Sequence, residues 1–339
     1  MSELTALIQK LNKGFGEERI CLGSYQEELP KIPFSSPRLN YMLYGGIPMY
    51  RITEFSGADS SGKSTTALDI IKNYQNMDNS KNVLYVDVEG TFDNYWATKL
   101  GVDVDKVIVF NPQVMSAENV FEISLNFVRT GEVGLFILDS VPALVPDLVF
   151  EEDYEKQEMG GISKSLTRFC RDLHPLLISK KCTAILLNQV RDNFNYGGGV
   201  TTPGGRALKH YCSVRMMFSK GLPFDEHGKE LSRNAQNPAG HTVDVRLLKS
   251  KVCPNNRLNG CYSLNYLGGI DYITDTIDCA INLGLISASG PWYKLYDLET
   301  GELTDTKFQG KNAVVNYFKE DKEQFHKLYD KVLQELGKK

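Results

Sequence analysis

At 339 residues, with 42% apolar and 24% charged side chains, the chain suits one large domain with small appendages and is too ordinary in composition for a disordered or fibrous protein. Its 38 Lys and Arg against 42 Asp and Glu leave a net charge of −4, so no whole-chain basic signature marks a nucleic-acid binder, and a DNA surface would have to be a local lining. Apolar runs such as 134–138 and 184–187 are too short to cross a bilayer, the first residues lack a secretory pattern, and seven cysteines without C-x-x-C spacing favour reduced thiols, so a cytoplasmic protein without membrane contact is expected.

From the N-terminus, 3–12 reads as a separate helix and the stretch through Pro30 and Pro33 as an extended linker, so residues 1–33 are expected to form an arm for oligomer contact. Residues 34–269 alternate strand and helix signals, the mark of a parallel sheet with crossovers. Strands are expected at 51–56, 83–88, 107–110, 135–138, 183–187, 214–218 and 243–249, and helices at 64–75, around 94–100, at 117–129 and from about 161 to 180. After Gly268 and Gly269 the composition shifts to short helices with Trp292 and Tyr293 between them, so 270–339 is expected to be a small C-terminal α+β domain. The fold class expected is α/β with a mostly parallel sheet.

The segment Gly57-Ala58-Asp59-Ser60-Ser61-Gly62-Lys63-Ser64 meets every fixed position of the phosphate-binding P-loop, between a strand and a helix as that motif requires. Its glycines let the backbone turn tightly with N–H groups inward, and the helix that begins there favours an anion. Lys63 supplies a cation for the terminal phosphates of ATP, and the Ser64 hydroxyl suits Mg2+; Thr65 follows at the head of the helix. Such an enzyme needs an acid near the metal at the end of a buried strand, which Leu135-Phe136-Ile137-Leu138-Asp139 provides. To orient or deprotonate water, Glu89 stands at the end of another strand, with Asp87 as the alternative in that stretch. Gln189 is a third polar residue at a strand end.

The motifs fall in one order: Gly45-Gly46-Ile47-Pro48, the P-loop, Asp87-Val88-Glu89, Leu138-Asp139-Ser140, Asn188-Gln189-Val190-Arg191 and Gly204-Gly205-Arg206-Ala207-Leu208-Lys209. That succession resembles the bacterial RecA family of recombinases over nearly the whole chain. The resemblance implies a RecA-like P-loop ATPase core, polymerisation as a helical filament on single-stranded DNA, and ATP-linked exchange of strands with a homologous duplex in recombination, repair and the SOS response. It implies that Glu89 activates water, that Asp139 serves the magnesium site, and that Gln189 senses the γ-phosphate. Asp93, Trp96 and Tyr266 match positions that contact the nucleotide, with Trp96 in place of the usual tyrosine and stacking preserved.

The family's two DNA-contacting loops correspond to about 151–161 and 192–205. Met159 matches the side chain that wedges between base triplets, with Gly160 beside it as a DNA-binding position; Lys164 and Arg171 match phosphate contacts, and Arg191, Phe194, Tyr196, Gly204 and Gly205 fall in or beside the second loop. Lys249 and Lys251, one residue apart on an expected strand, match paired lysines that reach the neighbouring subunit's nucleotide. The sequence departs from the family in a shorter second loop, in Asp192, in His210 where an aromatic residue is common, and in an end at Gly337-Lys338-Lys339 without an acidic tail. A phage or mobile-element branch would fit these departures. A ring-forming helicase-like motor and a DNA-independent signalling ATPase are the alternatives that share the nucleotide core.

Overall fold

The computed structural model describes residues 3–15, 20–25, 28–77, 80–147, 161–192, 200–298 and 300–337. It divides into two compact units, Met1–Pro30 and Lys31–Lys339. In the first, α1 (Glu3–Phe15) runs three residues past the expected end and buries none of its side chains; Leu4, Leu7, Leu11 and Phe15 stand exposed at helical spacing.

The second unit contains, in chain order, β1 (Lys31–Ile32), α2 (Pro37–Met42), β2 (Ile47–Pro48), β3 (Ile52–Gly57), α3 (Lys63–Asn76), β4 (Asn82–Asp87), α4 (Asn94–Lys99), β5 (Val107–Phe110), α5 (Ala117–Thr130) and β6 (Val133–Asp139). Then come α6 (Gly161–Ser179), β7 (Thr183–Gln189), β8 (Arg191–Asp192), β9 (Val200–Thr201), α7 (Gly205–Tyr211), β10 (Val214–Phe224), β11 (Gly240–Ser250), β12 (Asn259–Asn265) and β13 (Gly269–Ile270). The chain closes with α8 (Tyr272–Asn282), β14 (Ile286–Ser289), β15 (Trp292–Tyr296), β16 (Leu303–Gln309), α9 (Lys311–Glu320) and α10 (Lys322–Gly337).

Nine strands form the main sheet in the order β13-β12-β11-β10-β3-β7-β6-β4-β5. From β10 to β5 every pairing is parallel, and β11, β12 and β13 extend the sheet antiparallel. Strands β3 and β6 are buried along their whole length, as expected for parallel strands covered on both faces. Alternation along β6 sends Leu135 and Ile137 to a core packed by α2 and α3, and Phe136 and Leu138 to a second core packed by α5 and α6. Helix α5 shows how local chemistry sets an element: the Ser116 hydroxyl accepts from Asn119 N at 3.4 Å to start it, and Gly131, at φ 83°, ends it.

A third cluster, including Ile277, Ile286, Val314, Phe318, Phe325 and Leu328, gathers α8, α9 and α10 around a three-stranded antiparallel sheet of β14, β15 and β16. Trp292 and Tyr293 lie in the central strand of that sheet. Strand β12, which the sequence reading passed over, carries only Tyr262 and Leu264 as buried side chains, and it acquires its identity by pairing with β11.

Gly46 precedes β2 at φ 129°, and a Cβ there would lie 2.1 Å from the Ile32 carbonyl oxygen. A Gly46→Ala variant therefore combines a disfavoured backbone with a backbone clash, and should lose about 2–4 kcal/mol in urea unfolding. An unchanged midpoint would contradict the tight crossing of β1.

Candidate nucleotide and DNA site

The carboxyl ends of β3, β7, β6 and β4 lie side by side in the parallel sheet, so Gly57 pairs with Gln189 and Asp87 with Asp139. A crevice outside such strand ends is where open parallel sheets place ligands. The phosphate loop leaves β3 there and enters α3 through Gly62, whose φ of 92° is left-handed and whose Cβ would come within 2.9 Å of the Tyr262 hydroxyl. Ser60 also adopts positive φ, and the Ser61 side chain is buried beneath the loop. Ser64 and Thr65 open α3, Ser64 on its exposed side.

The Lys63 ammonium donates to the carbonyls of Gly57 at 3.0 Å and Ala58 at 2.8 Å, closing the loop on itself. Burial lowers its pKa, while the carboxylates of Asp59, Asp139 and Glu89 act in the opposite sense. Asp139, 4% exposed, accepts from the Ser64 hydroxyl at 2.9 Å and the Tyr85 hydroxyl at 2.6 Å through the same carboxylate oxygen. Burial raises its pKa, the two hydroxyls pull it down, and Glu89 and Asp87 push it up. Ser64 and Asp139 thus present adjacent hard oxygen donors at the phosphate loop, a set whose chemistry suits Mg2+.

Of the two acids at the end of β4, Asp87 is committed to its own turn: its oxygens accept from Thr91 N at 3.0 Å and Phe92 N at 2.9 Å. Glu89 is exposed and accepts a hydrogen bond from the Ser140 hydroxyl. Gln189 donates to Asp59 of the phosphate loop at 3.1 Å. Asp93 caps α4 by accepting from Trp96 N at 3.1 Å, and Trp96 packs partly buried against the core with the Lys99 ammonium 5.9 Å from its ring centre. Tyr266, 41% exposed, shares a 3.0 Å hydrogen bond with His241 Nδ1.

Lys249 and Lys251 do not stand free. Both ammonium groups donate to the His210 carbonyl, at 3.4 Å and 2.8 Å, and Lys249 also donates to Lys209 O, so the pair caps the last turn of α7. Burial, then Lys251 beside it, lowers the pKa of Lys249.

Met159, Gly160, Phe194 and Tyr196 lie outside the described residues. Arg191 belongs to β8, whose backbone pairs with Thr201 of β9. Lys164 and Arg171 are exposed on α6, and Arg168, which the sequence reading did not single out, stands on the same exposed face. Gly204 and Gly205 take φ values of 95° and 65° at the head of α7, where a Cβ on Gly204 would meet Leu166 of α6 at 2.6 Å. Glu118 of α5 accepts from Asp147 N at 2.9 Å and from the Ser165 hydroxyl, one bond on either side of residues 148–160.

A family model described as RecA N-terminal domain matches residues 2–271. The chain belongs to the RecA family. It is similar to the RecA protein of Chloroherpeton thalassium, 32% identical over 99% of this chain and 90% of that one. It is also similar to those of Thermus aquaticus, 33% identical over 98% and 93%, and Bacteroides thetaiotaomicron, 31% identical over 100% and 98%. As a RecA-family chain it is an ATP-binding, DNA-dependent ATPase and recombinase of recombination and repair. No helix among the described residues is long and apolar enough to cross a membrane.

Sequence reasoning missed Tyr85 and His241, and it quoted Ser140 in a motif without giving it a role. A tyrosine in the buried strand β4 was itself a signal, because a buried phenol needs a partner. His241 is 2% exposed, and burial, with Lys220 adding repulsion, lowers its pKa to about 4. Between the unfolded value near 6.5 and that folded value, the unfolded chain takes up a proton that the folded chain refuses, so stability is present above pH 6.5 and is lost as pH falls toward 4. Urea unfolding at pH 7 and pH 5 should show a loss in the parent about 2 kcal/mol larger than in His241→Gln. Equal losses would contradict the buried neutral imidazole.

Proposed function

We propose that ATP binds between subunits of a helical filament on single-stranded DNA, with the phosphate loop of one subunit and Lys249 and Lys251 of the next on either side of the γ-phosphate. The observation that carries this reading is the gathering of Lys63, Ser64, Glu89, Asp139 and Gln189 along one edge of the parallel sheet. The loop amides and Lys63 hold the phosphates and offset the negative charge that grows on the transferred group. Glu89, steadied by Ser140, orients the attacking water and takes its proton. Ser64 and Asp139 hold Mg2+, which supplies charge neutralisation on the phosphates when bound. Asp93, Trp96 and Tyr266 contact the base. Gln189, adjoining 192–205, reads the γ-phosphate for the second DNA loop.

DNA lies along Met159 and Gly160, the exposed face of α6 with Lys164 and Arg171, and the second loop with Arg191, Phe194, Tyr196, Gly204 and Gly205. A homologous duplex is the second DNA partner. Residues 1–33 serve the subunit contact, 34–269 the ATPase and DNA-binding core, and 270–339 form the small C-terminal domain. All seven cysteines are free, which supports a reducing compartment and a cytoplasmic place of action.

Glu89→Gln keeps shape and hydrogen bonding but removes the base, so phosphate release should fall by at least about 100-fold while ATP-promoted DNA binding is retained. Equal loss of both would contradict the assignment. The double variant Lys249→Ala, Lys251→Ala should bind ATP as a single subunit and fail to show DNA-stimulated hydrolysis. Mixed with Lys63→Ala subunits, it should recover part of the turnover at interfaces that join an intact phosphate loop to an intact lysine pair. Parental DNA-stimulated hydrolysis by the double variant alone would refute the intersubunit site.

A further inference from the structure

Glu54 is wholly buried on β3, just ahead of the phosphate loop. Its carboxylate takes two partners from the neighbouring strands: the guanidinium of Arg215 on β10, and the amide of Asn188 on β7 at 2.9 Å. Neither partner stops there. The Asn188 amide also donates to the Pro203 carbonyl at 3.0 Å, and Arg215 Nη2 donates to the Thr202 hydroxyl at 3.3 Å. One buried acid therefore carries two side chains that together hold residues 202 and 203, which leave the second expected DNA loop and lead into α7.

Well-packed apolar side chains often serve stability as well as a buried ion pair does, so an acid retained here and bridged on both sides suits a role in fixing direction and register. On β7 the residue after Asn188 is Gln189, which points to the other face of the strand and donates to Asp59 of the phosphate loop. The end of β7 is thus tied on one face to the phosphate loop and on the other, through Glu54, to the loop exit. We infer that Glu54, Arg215 and Asn188 are positioning residues that set the exit of 192–205 against the phosphate loop, so that the effect of ATP on DNA affinity passes through them. The inference rests on reading 192–205 as a DNA-contacting loop, and none of the three needs to touch nucleotide or DNA.

The test compares affinity for a fluorescent single-stranded oligonucleotide with and without a slowly hydrolysed ATP analogue. Relative to the parent, the ratio of the two affinities should fall about tenfold in Glu54→Gln and at least about threefold in Thr202→Val, with nucleotide affinity in the absence of DNA held within about twofold. Thr202→Ser, which restores the hydroxyl, should restore the ratio, a response that a purely structural role would not produce. If Glu54→Gln does not fold, Thr202→Val decides alone, since it exchanges a hydroxyl for a methyl group on a half-buried side chain. A parental ratio in Thr202→Val overturns the network. The double variant Phe194→Ala, Tyr196→Ala separates the two readings: weakened oligonucleotide binding there beside an unchanged Thr202→Val ratio overturns the network alone. Parental binding by that double variant overturns the loop assignment, and the network's role with it.

Discussion

Asp139 is a carboxylate kept out of water at the end of a strand whose every residue is buried, and the nucleotide site is arranged around that fact. A parallel strand covered on both faces is mostly apolar along its length, and the acids that face the ligand crevice stand where such strands end. Two hydroxyls, from Ser64 and Tyr85, hold the acid in place, and its electrostatic influence reaches Lys63. A buried charge of this kind is costly by itself, and it is tolerable because its neighbours are fixed before any ligand arrives. The phosphate loop, the acid and the group that steadies Glu89 all come from elements whose positions are set by the same ladder of backbone bonds.

That ladder also fixes the described borders of the two segments proposed to face DNA. Helix α6 meets the head of α7 where a Cβ on Gly204 would collide with Leu166 and one on Gly205 would press on Ser163, and Glu118 of α5 accepts from Asp147 and Ser165 on either side of residues 148–160. Lys249 and Lys251 cap the other end of α7 through the His210 carbonyl. A helix of seven residues is thus held at its head by α6 and at its tail by the lysines assigned to the neighbour's nucleotide. On the proposed function, a change in nucleotide state would have a short path to the two expected DNA loops, since the same few strands and one short helix border both.

Much of this was legible in the sequence, because the phosphate loop and the acids at strand ends depend on local spacing. Alternating strands and helices announced the parallel sheet, and β6 lengthened by only a few residues in the folded chain. What escaped depends on strand pairing and register that no local motif announces. Strand β12 is defined by its register with β11, and the sheet of β14, β15 and β16 by pairing among short strands without a clean apolar alternation. The choice between Asp87 and Glu89 stayed open on spacing alone; the folded chain shows Asp87 consumed by two backbone amides of its own turn. Glu54 and Arg215 read as unremarkable charges in two apolar strands until the parallel register of β3 and β10 sets them side by side.

The claim that ties these parts together is that nucleotide state governs a filament able to match one DNA against another. Its most direct measurement is strand exchange between a single-stranded circle and linear duplexes, homologous or heterologous, with and without ATP. The account predicts joint molecules only with the homologous duplex and only with ATP. Vigorous DNA-stimulated hydrolysis that yields no joint molecules, or joint molecules formed without nucleotide, would contradict it.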